Sequence, residues 1–439
     1  MKKYLEKHKK LILDAEKYIW NNPETGFKEY KTQAYLAEKM QELGYSLTFA
    51  EETTGFYTEV DTGRPGPTLM LIAELDALVV EGHPAADPVT NAAHACGHHA
   101  QCATLLGVAA ALKEPGILDG LSGKIRLTYV PAEEITEALE FDGVVRHLSG
   151  KQAFIIRGHF EGVDLAINFH ALAKEPGTML LCKGNNGFMI KHVTFTGRSA
   201  HAGAAPHKGI NALYAANLAL NAMNALRETF KKKDDIRVHP IITSGGGAVN
   251  VIPNKVVMKN QLRASSTEAL LRENPKLNRA VAGAALAMGA NATISDRPGY
   301  MPLHNDKGLS AAVADAAKAC LGEENLKDTK IWSAGSTDVG DLSTLMPTVC
   351  AYVGGVKGGD HTVNYEVVDA EALCVGGAEV MLKAAQLLLE NDASRAKEII
   401  ENFQPIYASK EEYCAAMDAL TAEYDAITYD DDHAAAVRF

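Results

Sequence analysis

No stretch of this chain stays apolar for the ~20 residues that a membrane-spanning helix needs; runs such as LGVAAAL (106–112) end far sooner. The N-terminal MKKYLEKHKKLILDAEKYIW begins with lysines but lacks the apolar centre of a secretion signal. A membrane is therefore not an expected partner. Positive charge is short as well, with 43 Lys and Arg against 55 Asp and Glu and a formal net charge of -12. Nucleic acid needs a broad basic surface, so that partner is excluded, whereas a small anion held by one local arginine is not. The seven cysteines are scattered and odd in number, which argues against a disulfide framework and for a reduced, cytoplasmic home. Repeats and low-complexity tracts are missing too. The glycine-rich SGGGAVN (244–250) lacks the Gly-Lys-Ser/Thr ending and the following helix of a phosphate loop, and reads as a tight bend.

What is present suggests two domains, because 439 residues exceed what one core usually fills. After two amphipathic N-terminal helices, strand and helix signals alternate: TLMLIAEL (68–75), AQCATLLGVAAALK (100–113), GKIRLTYVP (123–131), DLAINFHAL (164–172), TVCAYVGG (348–355). This is the pattern of an α/β domain with a mostly parallel sheet. Between 187 and 299 the pattern changes to β-α-β-β-α-β, a ferredoxin-like α+β block built on GFMIKHVTFTG, a long helix over 210–230, HPIITSG, NKVVMKNQLRAS, a second helix and NATISD. The expected division is 1–186 with 300–439 as one domain and 187–299 as an insert. The tail from 391 onward reads as helix ending in a mobile acidic YDDDH segment.

The stretch HACGHHAQ (94–101) places three imidazoles and a thiol where a helix should open. Taken singly, each of its residues has an ordinary explanation as a cap, a core histidine or a small buried hydrophobe. Other ligand-type residues, however, fall at the C-terminal ends of predicted strands, where open α/β sheets build their sites. Asp76 follows the 68–75 strand, Glu133 and Glu134 follow 123–131, His170 ends 164–169, and His361 lies shortly after 348–355. Carboxylate, imidazole and thiolate all bind zinc-like ions, and five or six such residues suit a pair of cations. Adjacent glutamates can divide the work, one ligating and the other acting as general base.

In order along the chain stand PETGFKE (23–29), LDAL (75–78), HACGH (94–98), PAEE (131–134), GRSAHAGAAPH (197–207), NVIP (250–253) and GGDHT (358–362). Together they resemble the amidohydrolase branch of the metallo-aminoacylase and carboxypeptidase family, which holds the auxin-conjugate and p-aminobenzoyl-glutamate hydrolases. GSTDVGDLS (335–343) is more similar to the latter group. The resemblance implies a zinc-peptidase-like catalytic domain interrupted by a lid that also makes a homodimer. It implies two divalent cations, Zn(II) first and Mn(II) as alternative, on Cys96, His98, Glu134, His170 and His361, with Cys96 as the bridge. Glu133 would be the general base and Asp76 an orienting acid. His201 would reach the neighbouring subunit's site as an oxyanion donor, while Asn250 and Arg263 would hold the carboxylate of an N-acyl amino acid or peptide substrate. A dipeptidase or carboxypeptidase of the same family, and a catalytically silent dimeric ligand-binding relative, remain alternatives. Three features depart from the pattern. His99 stands where relatives have Asp or Asn, Glu74 where the auxin branch has Asp, and the Glu134–His170 interval is long; the role of Asp338 is open.

Overall fold

Residues 68–74 are buried at every position, as a strand covered on both faces must be, and the protein is organised around it. The computed structural model describes residues 1–134, 149–430 and 433–439, so the first part of the Glu134–His170 interval and part of YDDDH lie outside the described residues. In chain order the elements begin with helices α1 (Lys2–Trp20) and α2 (Tyr30–Glu42) and strands β1 (Thr48–Phe49), β2 (Phe56–Asp61) and β3 (Thr68–Glu74). Helix α3 (His98–Leu112), β4 (Lys124–Val130), α4 (Gly150–Ile156), β5 (Leu165–Leu172) and β6 (Met179–Leu181) follow. Next come β7 (Gly187–Thr196), α5 (Ala212–Leu226), β8 (Arg237–Val238), β9 (Ile241–Ser244), β10 (Lys255–Ala264), α6 (Thr267–Met288) and β11 (Asn291–Pro298). The chain ends through α7 (Lys307–Leu321), β12 (Leu326–Asp328), β13 (Thr348–Gly354), α8 (Gly376–Asn402), α9 (Lys410–Ala419), β14 (Ala422–Asp430) and β15 (His433–Val437).

These elements form two compact units, one of Met1–Gly184, His304–Trp332 and Asp341–Lys410, the other of Asn185–Leu303, Ser333–Gly340 and Glu411–Phe439. The first holds an eight-stranded sheet in the order β1-β2-β4-β3-β5-β13-β6-β12. Its centre, β4-β3-β5-β13, is wholly parallel. Helix α3 is buried along its whole length, which explains why its sequence is small and apolar with no polar face. Contrary to the sequence reading, one stretch, Glu371–Asn402, which contains helix α8, is apolar and long enough on composition to cross a membrane. It is instead a core helix, 67% buried over its most apolar window and broken by left-handed backbone at 391–393.

The second unit carries an antiparallel sheet, β8-β10-β7-β11-β14-β15 with β9 also on β10, and α5 and α6 pack against it. Here the tail departs from its sequence reading. Helix stops at Ala419, and Ala422–Asp430 pairs antiparallel with β11 instead. Tyr424, Ile427, Thr428 and Tyr429 favour a strand, and burial of Ala426 and Ile427 holds them there.

Candidate metal centre

The candidate ligands all belong to the first unit and sit at the C-terminal ends of its parallel strands. Asp76 follows β3, Glu133 and Glu134 follow β4, and His170 lies near the end of β5. His361 comes from the loop after β13, with its backbone N–H donating to the Ala95 carbonyl at 2.8 Å. Cys96 and His98 flank Gly97, whose φ of 95° folds the chain back at the start of α3. A Cβ there would lie 2.5 Å from Ala171 Cβ and 2.7 Å from Tyr365 Oη, so only glycine fits.

Three overlapping groups result. Cys96, His98 and His170 offer ligand atoms all within 4.8 Å of one another; so do Cys96, Glu134 and His361, and so do His98, Glu133 and Glu134. Cys96 Sγ lies 3.3 Å from His170 Nε2 and 3.4 Å from His361 Nε2, and His361 Nε2 is 2.8 Å from Glu134 Oε1. Two ligands of one ion bound at ~2.0–2.3 Å stand roughly this far apart. The tautomers suit ligation as well. His170 Nδ1–H donates to the Ala171 carbonyl at 2.7 Å, and His98 Nδ1–H donates to the Asp76 carbonyl at 2.9 Å and carboxylate at 3.1 Å. Each ring therefore turns Nε2 towards the cluster.

Asp76 does more than hold His98, because its other oxygen accepts the Glu134 backbone N–H at 2.8 Å. Glu133 Oε2 lies 4.0 Å from His98 Nε2. The surroundings are anionic. Against the pull of burial, Asp76 and Glu74 hold the His98 imidazole well above its ordinary range. Burial, and then the Glu134 and Glu133 carboxylates, push the Cys96 thiol well up. A mixed thiol, imidazole and carboxylate set with this charge fits divalent cations.

The other expected residues lie in the second unit. His201 is exposed, and its Nδ1 accepts the N–H groups of Gly203 and Ala204 at 3.2 and 3.0 Å. Asn250 is exposed nearby, its carbonyl accepting from Ala202 N–H at 2.9 Å. Arg263 stands apart from them on β10. Its guanidinium donates to Gln261 Oε1 at 2.9 Å, Ser336 Oγ at 3.2 Å and the Ala334 carbonyl at 3.3 Å, and it stacks on Phe188. Among the described residues it has no carboxylate partner. Asp338 is buried. His99 belongs to none of the ligand groups; it faces Glu16 at 3.5 Å and the Trp20 ring.

Sequence reasoning missed the support beneath the cluster. Lys151 Nζ donates to Glu74 Oε1 at 2.6 Å, and Gln101 Nε2 donates to Glu74 Oε2 at 2.7 Å. Glu74 Oε2 in turn lies 3.2 Å from His98 Nε2. Burial pushes the Glu74 carboxyl up, but Lys151, His98 and His170 bring it down to about 2. The one available hint was Glu74 itself, which departs from the expected Asp.

Comparison with known proteins identifies the family and the fold. The sequence model of peptidase family M20/M25/M40 matches residues 70–387. The N-acetyl-L-cysteine deacetylase of Bacillus subtilis (strain 168) is 28% identical over 402 residues, spanning 88% of this chain and 90% of that protein. One chain of the p-aminobenzoyl-glutamate hydrolase of Escherichia coli (strain K12) is 29% identical over 318 residues, 61% of this chain and 69% of that one. A solved dinuclear metal-binding peptidase of the M20 family, also from Bacillus subtilis, has a TM-score of 0.69 at 21% identity, covering 89% of this chain and 99% of that one. At that identity the likeness speaks for the fold.

Proposed function

Since the chain belongs to peptidase family M20/M25/M40, we propose that it is a metal-dependent amidohydrolase that splits an N-acyl or aminobenzoyl amino acid into an amino acid and a carboxylic acid. The observation that carries this reading is one thiol, Cys96, shared by two ligand groups, with Glu133 close by and in neither. Cys96, His98 and His170 would hold one cation and Cys96, Glu134 and His361 the other, Zn(II) first and Mn(II) as alternative. When bound, such a pair polarises the amide carbonyl and eases deprotonation of water.

The chain's own residues supply the rest. Glu133 accepts a proton from the attacking water and returns it to the leaving amine, so that water's oxygen ends in the carboxylate product. Asp76 fixes the His98 ring and the Glu134 backbone together. With Nδ1 occupied as an acceptor, His201 keeps its proton on Nε2, free to donate to the developing oxyanion of a neighbouring protomer. A homodimer through the second unit is supported by exposed Tyr214 and Leu218 on α5 and Ile241 on β9. The free state of all seven cysteines suits a cytoplasmic home.

Asn250 and Arg263 bind the substrate's carboxylate in this reading. Arg237 stands directly opposite Arg263 across the β8–β10 pair, so both side chains share one sheet face. Arg227 bonds to the Val238 carbonyl, and His239 N–H to the Gln261 carbonyl. Among the described residues, Asp235 is the one carboxylate paired with this basic group, at 2.8 Å from Arg237. Such a surplus favours an acidic amino-acid half.

The test is elemental analysis with a substrate panel of N-acyl-glutamate, N-acyl-glutamine, p-aminobenzoyl-glutamate and dipeptides. Two metals per chain, turnover of N-acyl amino acids, and loss of turnover with metals retained in Glu133→Ala are expected. Turnover confined to dipeptides would transfer the reading to a dipeptidase. Full activity in Glu133→Ala would end the mechanism.

A further inference from the structure

PETGFKE carries two glutamates that the proposed chemistry does not use, and one of them, Glu29, is completely buried. Its carboxyl touches two groups. Oε1 accepts the Ala132 backbone N–H at 2.8 Å, and Oε2 makes a short hydrogen bond with the Thr54 hydroxyl. Ala132 immediately precedes Glu133 and has a φ of 47°, a left-handed conformation that costs a non-glycine residue ~1 kcal/mol or more. Something must hold it there.

The contacts show what does. The Ala132 carbonyl accepts from Gly150 N–H at 3.0 Å. Gly26, from the same motif as Glu29, packs so closely that a Cβ on it would lie 2.8 Å from Ala132 Cβ. Two residues on, Asp76 grips the Glu134 N–H. The backbone is thus clamped by buried carboxyl groups at 132 and 134, on either side of Glu133.

We infer that Glu29 is a positioning residue: by holding the Ala132 N–H in a left-handed turn, it aims Glu133 at the reacting water and Glu134 at the cations. This rests on the proposed roles of those two glutamates. The grip needs an acceptor towards Ala132 and a hydrogen-bonding partner for Thr54, and it does not need a charge. Burial and the neighbouring Asp76 carboxylate push the Glu29 carboxyl up to about 8, so near neutral pH it is predominantly protonated. Glutamine is its near-isostere in that form.

The experiment compares Glu29→Gln, which keeps both bonds, with Glu29→Met, which keeps volume and loses both. At saturating Zn(II), Glu29→Met lowers kcat about 10- to 100-fold with little change in KM, and weakens one of the two Zn(II) equilibria seen by calorimetry about tenfold. Glu29→Gln stays within about threefold of the parent in both. Parent-like kcat and Zn(II) binding in Glu29→Met, or an equal loss in Glu29→Gln, overturns the inference. Should Glu29→Met not fold, Thr54→Val decides, since it removes only the outer bond: a reduced kcat at parent-like KM supports the clamp, and an unchanged kcat overturns it. A parent protein inactive on the whole panel would sink the proposed function; an active parent with an indifferent Glu29→Met sinks this inference alone.

Discussion

A histidine ring has two nitrogens, and what one of them does settles what the other can do. For His98 and His170 the Nδ1 proton is given to backbone carbonyls, which turns Nε2 towards Cys96 and its neighbours. His201 is the reverse case, with Nδ1 accepting two N–H groups and Nε2 left as a donor. Because the His201 side chain is exposed, removing it forfeits little packing. His201→Ala is therefore expected to keep its melting temperature while kcat falls ~10²–10³-fold, the cost of one oxyanion donor. Steady-state kinetics beside a thermal melt checks this, and a kcat within threefold of the parent would remove His201 from the mechanism.

At the scale of elements, the centre depends on where β3, β4 and α4 end or begin. Lys151 on α4 and Glu74 at the end of β3 form a pair with no more than 1% of either side chain exposed. Replacing a buried pair by apolar groups can be neutral, but breaking it strands a charge. Lys151→Met is thus expected to cost ~3–5 kcal/mol in chemical denaturation, with part recovered in the Lys151→Met/Glu74→Gln double variant. No recovery would mean that the pair is not the source of the loss. That pairing joins residues 77 positions apart, and nothing local in LSGKQAF or LIAELD announces it. The clustering of Cys96, His98, Glu134, His170 and His361 was legible because strand-end placement is itself a sequence pattern. The C-terminal strand was not, because the tail from 391 onward reads as helix, and the partner that makes Ala422–Asp430 a strand is β11, over 120 positions earlier in the chain. The Glu29 clamp was half legible: its motif stood out, but its partner is a backbone N–H that no side-chain pattern records.

Over the whole molecule, two buried carboxyls pull stability in opposite directions with pH. Glu74, held at about 2 against an ordinary 4.5, contributes stability that is present above pH 4.5 and lost as the pH falls towards 2. Glu29, raised from 4.5 to about 8, stays protonated in the native state while the unfolded chain ionises. Its effect is to lower stability as pH rises from 4.5 to 8, and to level off above that. Each shift corresponds to roughly a few kcal/mol. Denaturation with chelator present should show Glu29→Gln gaining on the parent between pH 5 and 8. A constant difference across that range would contradict the raised Glu29.

The second unit is assembled from three separated lengths of chain, and β14 finishes the flank of β11 from near the C-terminus. During synthesis, β11 leaves the ribosome roughly 130 residues before its neighbour does, on the order of ten seconds at ~5–20 residues per second. For that interval the nascent sheet offers an open edge, a template for mispairing with other chains. Residues 422–430, made long after β11, thus close the edge that nascent-chain chaperones would otherwise have to shield.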